Sequence, residues 1–338
     1  MHCKAPYDTL NYMRISSWQE ELRGSLQDSE QLLEKLGLQT NKLQTIKASE
    51  AFPFKAPESY LKRISKYDPT DPLLRQILLL QEENNQHNDY VVDPVGDLES
   101  ETVPGLLHKY HGRVLLVTTG ACAIHCRYCF RRHFPYADSN PAKQSWQPAM
   151  EYIQNDHSIS EIILSGGDPL MLADEKLKKL LAELTAISHL KRLRIHSRMP
   201  AVLPSRITES FLDLFHNLRL NPVMVLHVNH VNEIDEHVEL SLQKLKTAGI
   251  TLLNQTVLLK GVNDSSQALS DLNEKLFESG VLPYYLHMLD KVQGAAHFAV
   301  EEERARNIMN KLRETLPGYL VPRLIREQAG LAYKLPIL

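Results

Sequence analysis

Three cysteines fall within eight residues, in the stretch Cys122-Ala123-Ile124-His125-Cys126-Arg127-Tyr128-Cys129. The only other cysteine of the chain is Cys3. Three thiolates with this Cys-x3-Cys-x2-Cys spacing can bind three irons of a cubane cluster and leave the fourth iron open to a small ligand. The alternatives are a zinc site completed by His125 or His133, an electron-transfer cluster, or three incidental cysteines. We expect the three clustered thiols to be required for cluster binding and Cys3 to be dispensable.

Strand-like and helix-like patterns alternate from residue 113 to residue 316. Short apolar, β-branched runs predict strands at 114–118, 161–165, 192–196, 223–228, 251–258 and 283–287. Amphipathic patterns predict helices at 147–154, 175–187, 208–215, 236–248, 267–279 and 301–316. Such alternation predicts parallel strands joined by right-handed crossovers. The cysteine stretch follows the first strand, at the carboxyl end where such folds place their active sites.

The pattern alone leaves the architecture of this α/β part open. Six strand–helix units fit either an open doubly wound sheet or an incomplete barrel, because a closed eight-unit barrel needs about 250 residues. The first hundred residues are polar and predict helices at 19–36 and 71–80. We place a linker at 82–97, between this helical part and the first strand.

The composition limits the class of protein. Lys and Arg number 38 against 41 Asp and Glu, so the formal net charge of −3 argues against general nucleic-acid binding. No apolar run reaches the length of about 18 residues that a membrane-spanning helix needs. The first residues lack the apolar core of a secretory signal. We therefore expect a cytoplasmic protein without nucleic-acid or membrane partners.

A second motif follows the second predicted strand, in Ser165-Gly166-Gly167-Asp168-Pro169-Leu170. Together with the cysteine stretch it resembles the radical S-adenosylmethionine (SAM) superfamily. The resemblance implies a partial (β/α)6 TIM-like barrel and a [4Fe–4S] cluster on Cys122, Cys126 and Cys129. It also implies that SAM binds the open iron, where an electron from the cluster splits it into methionine and a 5′-deoxyadenosyl radical. The SAM contacts that the resemblance implies are Ser165, Gly166, Gly167, Asp168 and, on the fifth strand, Gln255.

Further blocks resemble the lysine 2,3-aminomutases over roughly residues 68–334. These blocks are 103–110, 254–264, 286–298, Leu193-Arg194-Ile195-His196-Ser197-Arg198 and Asn229-His230-Val231-Asn232-Glu233. The similarity is to the short bacterial branch that makes (R)-β-lysine for elongation factor P. It implies an isomerase that converts (S)-α-lysine to (R)-β-lysine and uses pyridoxal 5′-phosphate (PLP) beside the cluster and SAM. An aminomutase for another amino acid, in a catabolic or osmolyte pathway, is the alternative.

The same resemblance implies roles for individual residues. Lys334 stands at the position of the lysine that holds PLP as an aldimine, and the PLP phosphate region would contain Lys109, Tyr110 and Arg113. The expected substrate-binding residues are Arg131 for the carboxylate of lysine, with Asp290 and Glu327 for its distal ammonium.

The chain then divides into three parts. A mostly helical extension and linker occupy 1–105, the barrel occupies 106–316, and a short C-terminal tail at 317–338 carries Lys334 and closes the site. The implied partners are free lysine, an electron donor such as a flavodoxin or ferredoxin, and, as a functional link, elongation factor P with its lysyl-transferring ligase.

Overall fold

A computed structural model describes residues 17–39, 43, 45, 52–136 and 146–338. The prediction for Cys3 lies outside these described residues. None of the helices in this described part combines the length and the apolarity needed to cross a bilayer.

Ten strands form one sheet, in which the spatial order follows the chain order. The strands are β1 (Glu101–Val103), β2 (Leu106–Tyr110), β3 (Arg113–Thr119), β4 (Glu161–Gly166), β5 (Arg192–Ser197), β6 (Asn221–Leu226), β7 (Thr251–Val257), β8 (Leu282–His287), β9 (Arg323–Arg326) and β10 (Leu335–Pro336). The six predicted strands correspond to β3–β8, and all of them pair in parallel. Strand β9 extends the parallel set, while β1, β2 and β10 are antiparallel additions at its two edges.

Eleven α-helices occur among the described residues. They are α1 (Trp18–Arg23), α2 (Ser29–Lys35), α3 (Glu58–Leu61), α4 (Pro72–Arg75), α5 (Gln147–Asn155), α6 (Asp174–Ala186), α7 (Met199–Val202), α8 (Glu209–Leu212), α9 (Glu236–Thr247), α10 (Ser266–Glu278) and α11 (Glu302–Thr315). The six helices predicted after the first strand correspond to α5, α6, α8, α9, α10 and α11. The strand–helix alternation and the parallel pairing confirm the predicted partial barrel.

The N-terminal predictions need two corrections. The pattern at 19–36 is two helices instead of one, because the chain turns at Gly24 and Asp28 caps the new helix through the amide of Glu30. The pattern at 71–80 gives only the single helical turn of α4. The predicted linker is also attached to the barrel, since the amide of Val91 donates to the carbonyl of Lys291 at 2.9 Å.

The two faces of the barrel strands differ in polarity. On β5, Leu193 and Ile195 are buried in the hydrophobic core between sheet and helices. Arg194 and His196 alternate with them and remain partly exposed, on the opposite face of the strand. Most barrels of this kind fill the interior with branched apolar side chains. On β5 these positions are polar instead, and such side chains suit a lumen that holds charged ligands.

Candidate active site

The cysteine loop begins directly after β3 and packs against the turn that follows β4. The amide of Gly167 donates to the carbonyl of Thr119 at 2.7 Å, and the amide of Asp168 donates to the carbonyl of Ala121 at 2.9 Å. A Cβ atom at residue 166 would lie 2.6 Å from the oxygen of Thr119, and φ there is +117°. The Gly-Gly-Asp motif is therefore needed for this close backbone approach.

Asp168 connects three segments around this loop. Its carboxylate accepts hydrogen bonds from the amides of Leu170, Arg198 and Met199 and from the hydroxyl of Ser197, at 2.8–3.1 Å. Burial raises the pKa of Asp168 to about 6, although these hydrogen bonds oppose the shift. The side chain of Asp168 thus fixes the ends of β4 and β5 to each other.

Two of the three predicted cluster ligands, Cys122 and Cys129, have raised thiol pKa values. Burial, then the neighbouring Cys129 and Asp168, raises the pKa of Cys122 well above its usual range. Burial and Cys126 raise the pKa of Cys129 to about 11. Neighbouring thiols with raised pKa values become thiolates together only when a metal cation binds them. The donor set therefore fits an iron–sulfur cluster.

The two histidines of the zinc alternative are turned to backbone carbonyls. A ring nitrogen of His125 donates to the carbonyl of Pro53 at 2.7 Å, and a ring nitrogen of His133 donates to that of Gln293 at 3.3 Å. Within the described ranges, no three His, Cys, Asp or Glu side chains are placed to hold one metal ion together. In a cubane cluster, by contrast, each thiolate binds a different iron.

A second set of charged side chains surrounds Lys334. This Lys334 set consists of Lys334, Glu327, Lys109, Asp97, Arg131 and Asp290. The hairpin of β9 and β10 places Lys334 beside Glu327, and the two side chains form an ion pair. The other oxygen of Glu327 lies 3.2 Å from the Nζ atom of Lys109, which reaches across from β2. Although burial opposes it, the charges of Lys334 and Lys109 hold the pKa of Glu327 far below its usual value. The carboxylate of Glu327 thus lies between Lys109, at one edge of the open barrel, and Lys334, at the other edge.

Asp97 continues the charged set toward the cysteine loop. Its carboxylate lies 2.5 Å from the Nζ atom of Lys109 and 2.6 Å from the Nε atom of Arg131. Arg131 also donates to the hydroxyl of Ser165 at 3.0 Å. Because Arg131 follows Cys129 by two residues, it joins the Lys334 set to the cysteine loop.

Asp290 is the carboxylate of this region with a raised pKa. Burial, followed by the charge of Glu327, raises the pKa of Asp290 to about 7, and Lys334 and Lys109 oppose the shift only in part. Two carboxylates close to one lysine are therefore unequal, since Glu327 is ionised at neutral pH while Asp290 titrates near pH 7. An added cation, such as the ammonium of an amino-acid side chain, would ionise Asp290.

The remaining predicted site residues are Tyr110, Arg113 and Gln255. Burial and then the charge and hydrogen bond of Glu327 raise the pKa of the Tyr110 hydroxyl. The guanidinium of Arg113 lies over the Tyr110 ring, 4.5 Å from its centroid. Gln255 lies half-buried on β7, and among the described residues its side chain makes no hydrogen bond to the cysteine loop. The structure thus brings Lys109 and Tyr110 to Glu327 and places Arg113 on the Tyr110 ring.

The comparisons with known proteins agree with the geometry. The model of the radical SAM superfamily matches residues 116–272. An L-lysine 2,3-aminomutase of Escherichia coli (strain K12) is 47% identical over 331 residues, which are 97% of this chain and 96% of that one. The chain belongs to the lysine 2,3-aminomutase family. A second aminomutase, from Haemophilus influenzae, is 47% identical over 93% of both chains. A solved structure, native anSMEcpe with bound AdoMet and Kp18Cys peptide, is 12% identical, with a TM-score of 0.45 over 59% of this chain and 58% of that one.

As a member of the lysine 2,3-aminomutase family, the protein is an isomerase whose cofactors are a [4Fe–4S] cluster, SAM and PLP. Two buried atoms support a polar ligand beside Lys334. The Nε2 atoms of His196 and His287 have no hydrogen-bond partner within the described part of the chain. Burial, and then charges that include Lys334, lowers the pKa of both imidazoles, so both are neutral. A bound PLP or amino acid would give these atoms the partners that they lack.

Sequence reasoning about this aminomutase missed several residues of the site. Asp97 lay in a predicted linker, yet it is 2% exposed and bridges Lys109 and Arg131. His196 and Arg198 were seen only as part of a diagnostic block. A usable signal existed for His196, because alternation along β5 places a polar side chain every second residue on the face of the strand away from the core. For Asp97 no local pattern was available, since its partners are distant in sequence.

Proposed function

We propose that the protein converts (S)-α-lysine to (R)-β-lysine by moving the amino group from C2 to C3. The observation that carries the proposal is the pair Asp290 and Glu327 beside Lys334 in the barrel lumen. A carboxyl with a pKa near 7 next to an ionised carboxylate is prepared to receive a cation. Among amino acids, lysine brings such a cation at the end of its side chain.

The roles of the chain follow from these positions. Asp290, together with Glu327 once Lys334 is engaged by PLP, would hold the distal ammonium of lysine. Arg131 would bind the carboxylate, because a guanidinium matches a carboxylate in two parallel hydrogen bonds. The two clamps would fix the carbon chain between the cluster and Lys334, and such positioning lowers the entropic part of the barrier.

The cofactors would be held by two different parts of the lumen. Cys122, Cys126 and Cys129 would bind the cluster, with the turn at Ser165, Gly166, Gly167 and Asp168 beside it and Gln255 on β7. Lys334 would bind PLP, with its phosphate near Lys109, Tyr110 and Arg113. Together these cofactors supply a hydrogen-abstracting radical and a π system to which the migrating amino group is joined. The tail at 317–338 would keep water out of this space.

The test is an anaerobic assay of the reconstituted enzyme with (S)-lysine, SAM, PLP and a reductant, with chiral separation of the products. We expect (R)-β-lysine from lysine and no product from norleucine, which has the same carbon chain without the distal ammonium. Norleucine would leave the buried Asp290 without a cation to pair with, and the resulting loss of binding free energy explains the rejection. Equal turnover of lysine and norleucine would contradict the proposed ammonium pocket.

A second function would be the same rearrangement of another amino acid. The observation that would favour it is a higher kcat/KM with a competitor such as ornithine or glutamate in the same assay. Glutamate is disfavoured by the structure, since its side-chain carboxylate would face Asp290 and Glu327. The domain division into 1–105, 106–316 and 317–338 is part of the same proposal.

Three further statements belong to the proposal. The cluster would receive its electron from a flavodoxin or ferredoxin, and the enzyme would act in the cytoplasm. Its product would be used for the modification of elongation factor P. Loss of β-lysyl groups from elongation factor P after deletion of the gene, and their return when (R)-β-lysine is supplied, would test the last statement.

A further inference from the structure

Three side chains of the diagnostic sequence blocks, those of Arg198, Asn229 and Glu233, have no role in the site described so far. Arg198 ends the first block, directly after β5, and Asn229 and Glu233 lie in the second block, after β6. In the folded protein these residues meet behind the cysteine loop. Arg198 is 7% exposed, and Asn229 and Glu233 are fully buried.

Arg198 contacts one of the three thiols directly. Its Nη1 atom lies 2.6 Å from the Sγ atom of Cys126. Its Nη2 atom donates to Glu233 at 2.8 Å and to the side-chain oxygen of Gln76 at 2.7 Å. The backbone of Arg198 is fixed as well, because its amide donates to the carboxylate of Asp168. A buried cation is thus held against a ligand of the cluster from several sides.

The partners of Arg198 form a closed network around the cysteine loop. Glu233 also accepts from the amide of Asn229 at 2.9 Å and from the side-chain nitrogen of Gln76 at 3.1 Å. Asn229 donates to the hydroxyl of Tyr128 at 2.7 Å, and that hydroxyl also contacts His227 at 2.8 Å. Tyr128 stands between Cys126 and Cys129, so the network reaches the loop at two points.

We propose that Arg198 is a positioning residue that raises the reduction potential of the cluster, and that Glu233 limits this increase by offsetting the charge of Arg198. The proposal rests on the cluster being bound by Cys122, Cys126 and Cys129. Hydrogen bonds and charges at cluster sulfurs are among the factors that set the potential of such centres.

The expected sign follows from the charges. Three thiolates around a [4Fe–4S] core carry a net negative charge, and reduction adds one more electron. A cation at the Cys126 sulfur stabilises the reduced state more than the oxidised state, so Arg198 makes reduction easier. The carboxylate of Glu233, 2.8 Å from the same guanidinium, acts in the opposite direction. Removing one or the other should therefore shift the potential in opposite directions.

The test is a redox titration of the reconstituted enzyme without SAM, followed by the electron paramagnetic resonance signal of the reduced cluster. At the midpoint potential of the wild type, Arg198→Gln should lower the ratio of reduced to oxidised cluster at least tenfold. For a one-electron couple this corresponds to a shift of about 59 mV toward more negative potential. Arg198→Lys keeps the positive charge but lacks the planar set of N–H donors of the guanidinium. Its midpoint potential should lie between those of Arg198→Gln and the wild type.

Two further variants separate a charge effect from a general loss of structure. Glu233→Gln should shift the midpoint toward more positive potential. Arg206→Gln is the matched control, because Arg206 is equally buried and pairs with Asp174, away from the three thiols; its midpoint should equal that of the wild type. Iron content is measured first in every variant, since a failure to bind iron reports on the cysteine assignment.

Two results would overturn the proposal. One is a midpoint in Arg198→Gln that equals that of the wild type. The other is a shift in Glu233→Gln that is absent or has the same sign as in Arg198→Gln. Where Arg198→Gln does not retain the cluster, the sign of the Glu233→Gln shift decides.

Discussion

The cysteine loop and the Lys334 set lie in one lumen, but the negative charges of the two regions are compensated in different ways. In the loop, burial and neighbouring thiols raise the pKa of Cys122 and Cys129, so the loop needs a metal cation to hold its thiolates. Around Lys334, cations and carboxylates alternate and neutralise each other. We expect the first region to be completed by the cluster and the second to exchange its internal ion pairs for the charges of PLP and substrate.

The two regions also differ in how the chain assembles them. The three clustered cysteines lie within eight residues and meet for local reasons. Lys109, Asp97, Asp290 and Lys334 come from separate segments and meet only because the sheet curls and the β9–β10 hairpin returns the tail to its edge. If the regions are independent, removing the key residue of one should leave the other loaded.

The largest expected effect is the complete and separate loss of one cofactor. Lys334→Ala should abolish the visible absorption of bound PLP and all aminomutase activity, because no other residue replaces its covalent link, and should keep the full iron content. Cys126→Ala should lose the cluster and SAM cleavage and should keep PLP. Absorption spectra, iron analysis and borohydride reduction with peptide mapping measure both.

The matched control for these variants is Cys3→Ala, which we expect to retain cluster, PLP and activity. A pyridoxyl group on Lys109 or Lys291 after borohydride reduction would contradict the assignment of Lys334. A full, SAM-cleaving cluster in Cys126→Ala would contradict the assignment of that ligand.

A smaller effect should follow from changes within the Lys334 set. Asp290→Asn keeps the size of the side chain and removes the charge that would face the substrate ammonium. We expect kcat/KM for lysine to fall at least tenfold, which is about 1.4 kcal/mol of transition-state binding. Steady-state assays with lysine at several pH values measure this effect.

Asp89→Asn is the matched control for Asp290→Asn. Asp89 pairs with Lys291, the residue after Asp290, at 2.6 Å, but both side chains are more than half exposed. Exposed ion pairs contribute at most about 1 kcal/mol, so kcat/KM should stay near the wild-type value. Equal losses in both variants would show that Asp290 acts through the local structure and not through a contact with substrate.

The sequence predicted the fold to the extent that its signals were local or periodic. The parallel strands β3–β8 and their helices were recognisable, because apolar residues recur with the period of each element. Strands β1 and β10 were missed, since segments of three and two residues carry too few positions to show a period, and β2 was missed as well. The strand that starts at Asn221 was predicted to begin at Val223, because proline is uncommon in strands and Pro222 was therefore left outside the pattern.

The candidate site was predictable only where a motif carried it. The cysteine stretch and the Gly-Gly-Asp turn could be recognised directly, and the structure explains the glycines by the carbonyl oxygens that approach them. Asp97 and the Arg198–Glu233 pair could not be found this way, because Asp97 and Arg131 are 34 positions apart and Arg198 and Glu233 are 35 positions apart. Long-range charge pairing leaves no period and no fixed spacing in a single sequence.

The smallest expected effect concerns stability and sharpens the contrast between Asp290 and Glu327. Burial and Glu327 raise the pKa of Asp290 to about 7, whereas an unfolded aspartate has a pKa of about 3.9. The folded state therefore opposes ionisation of Asp290, and this contribution lowers the stability of the wild type as pH rises from about 4 to about 7. Asp290→Asn has no such proton to lose, so its melting temperature relative to the wild type should rise between pH 5 and pH 8, by about 2 °C or more. Glu327→Gln should instead lower the melting temperature by a similar amount at both pH values, because the charges of Lys334 and Lys109 hold the pKa of Glu327 below its unfolded value of about 4.3, so that this stabilisation is already present at pH 5 and is lost only at lower pH. Melting curves of the three proteins at both pH values decide the matter: a relative melting temperature of Asp290→Asn that falls as pH rises would mean that Asp290 is ionised and paired in the free enzyme, and the two carboxylates would then be alike.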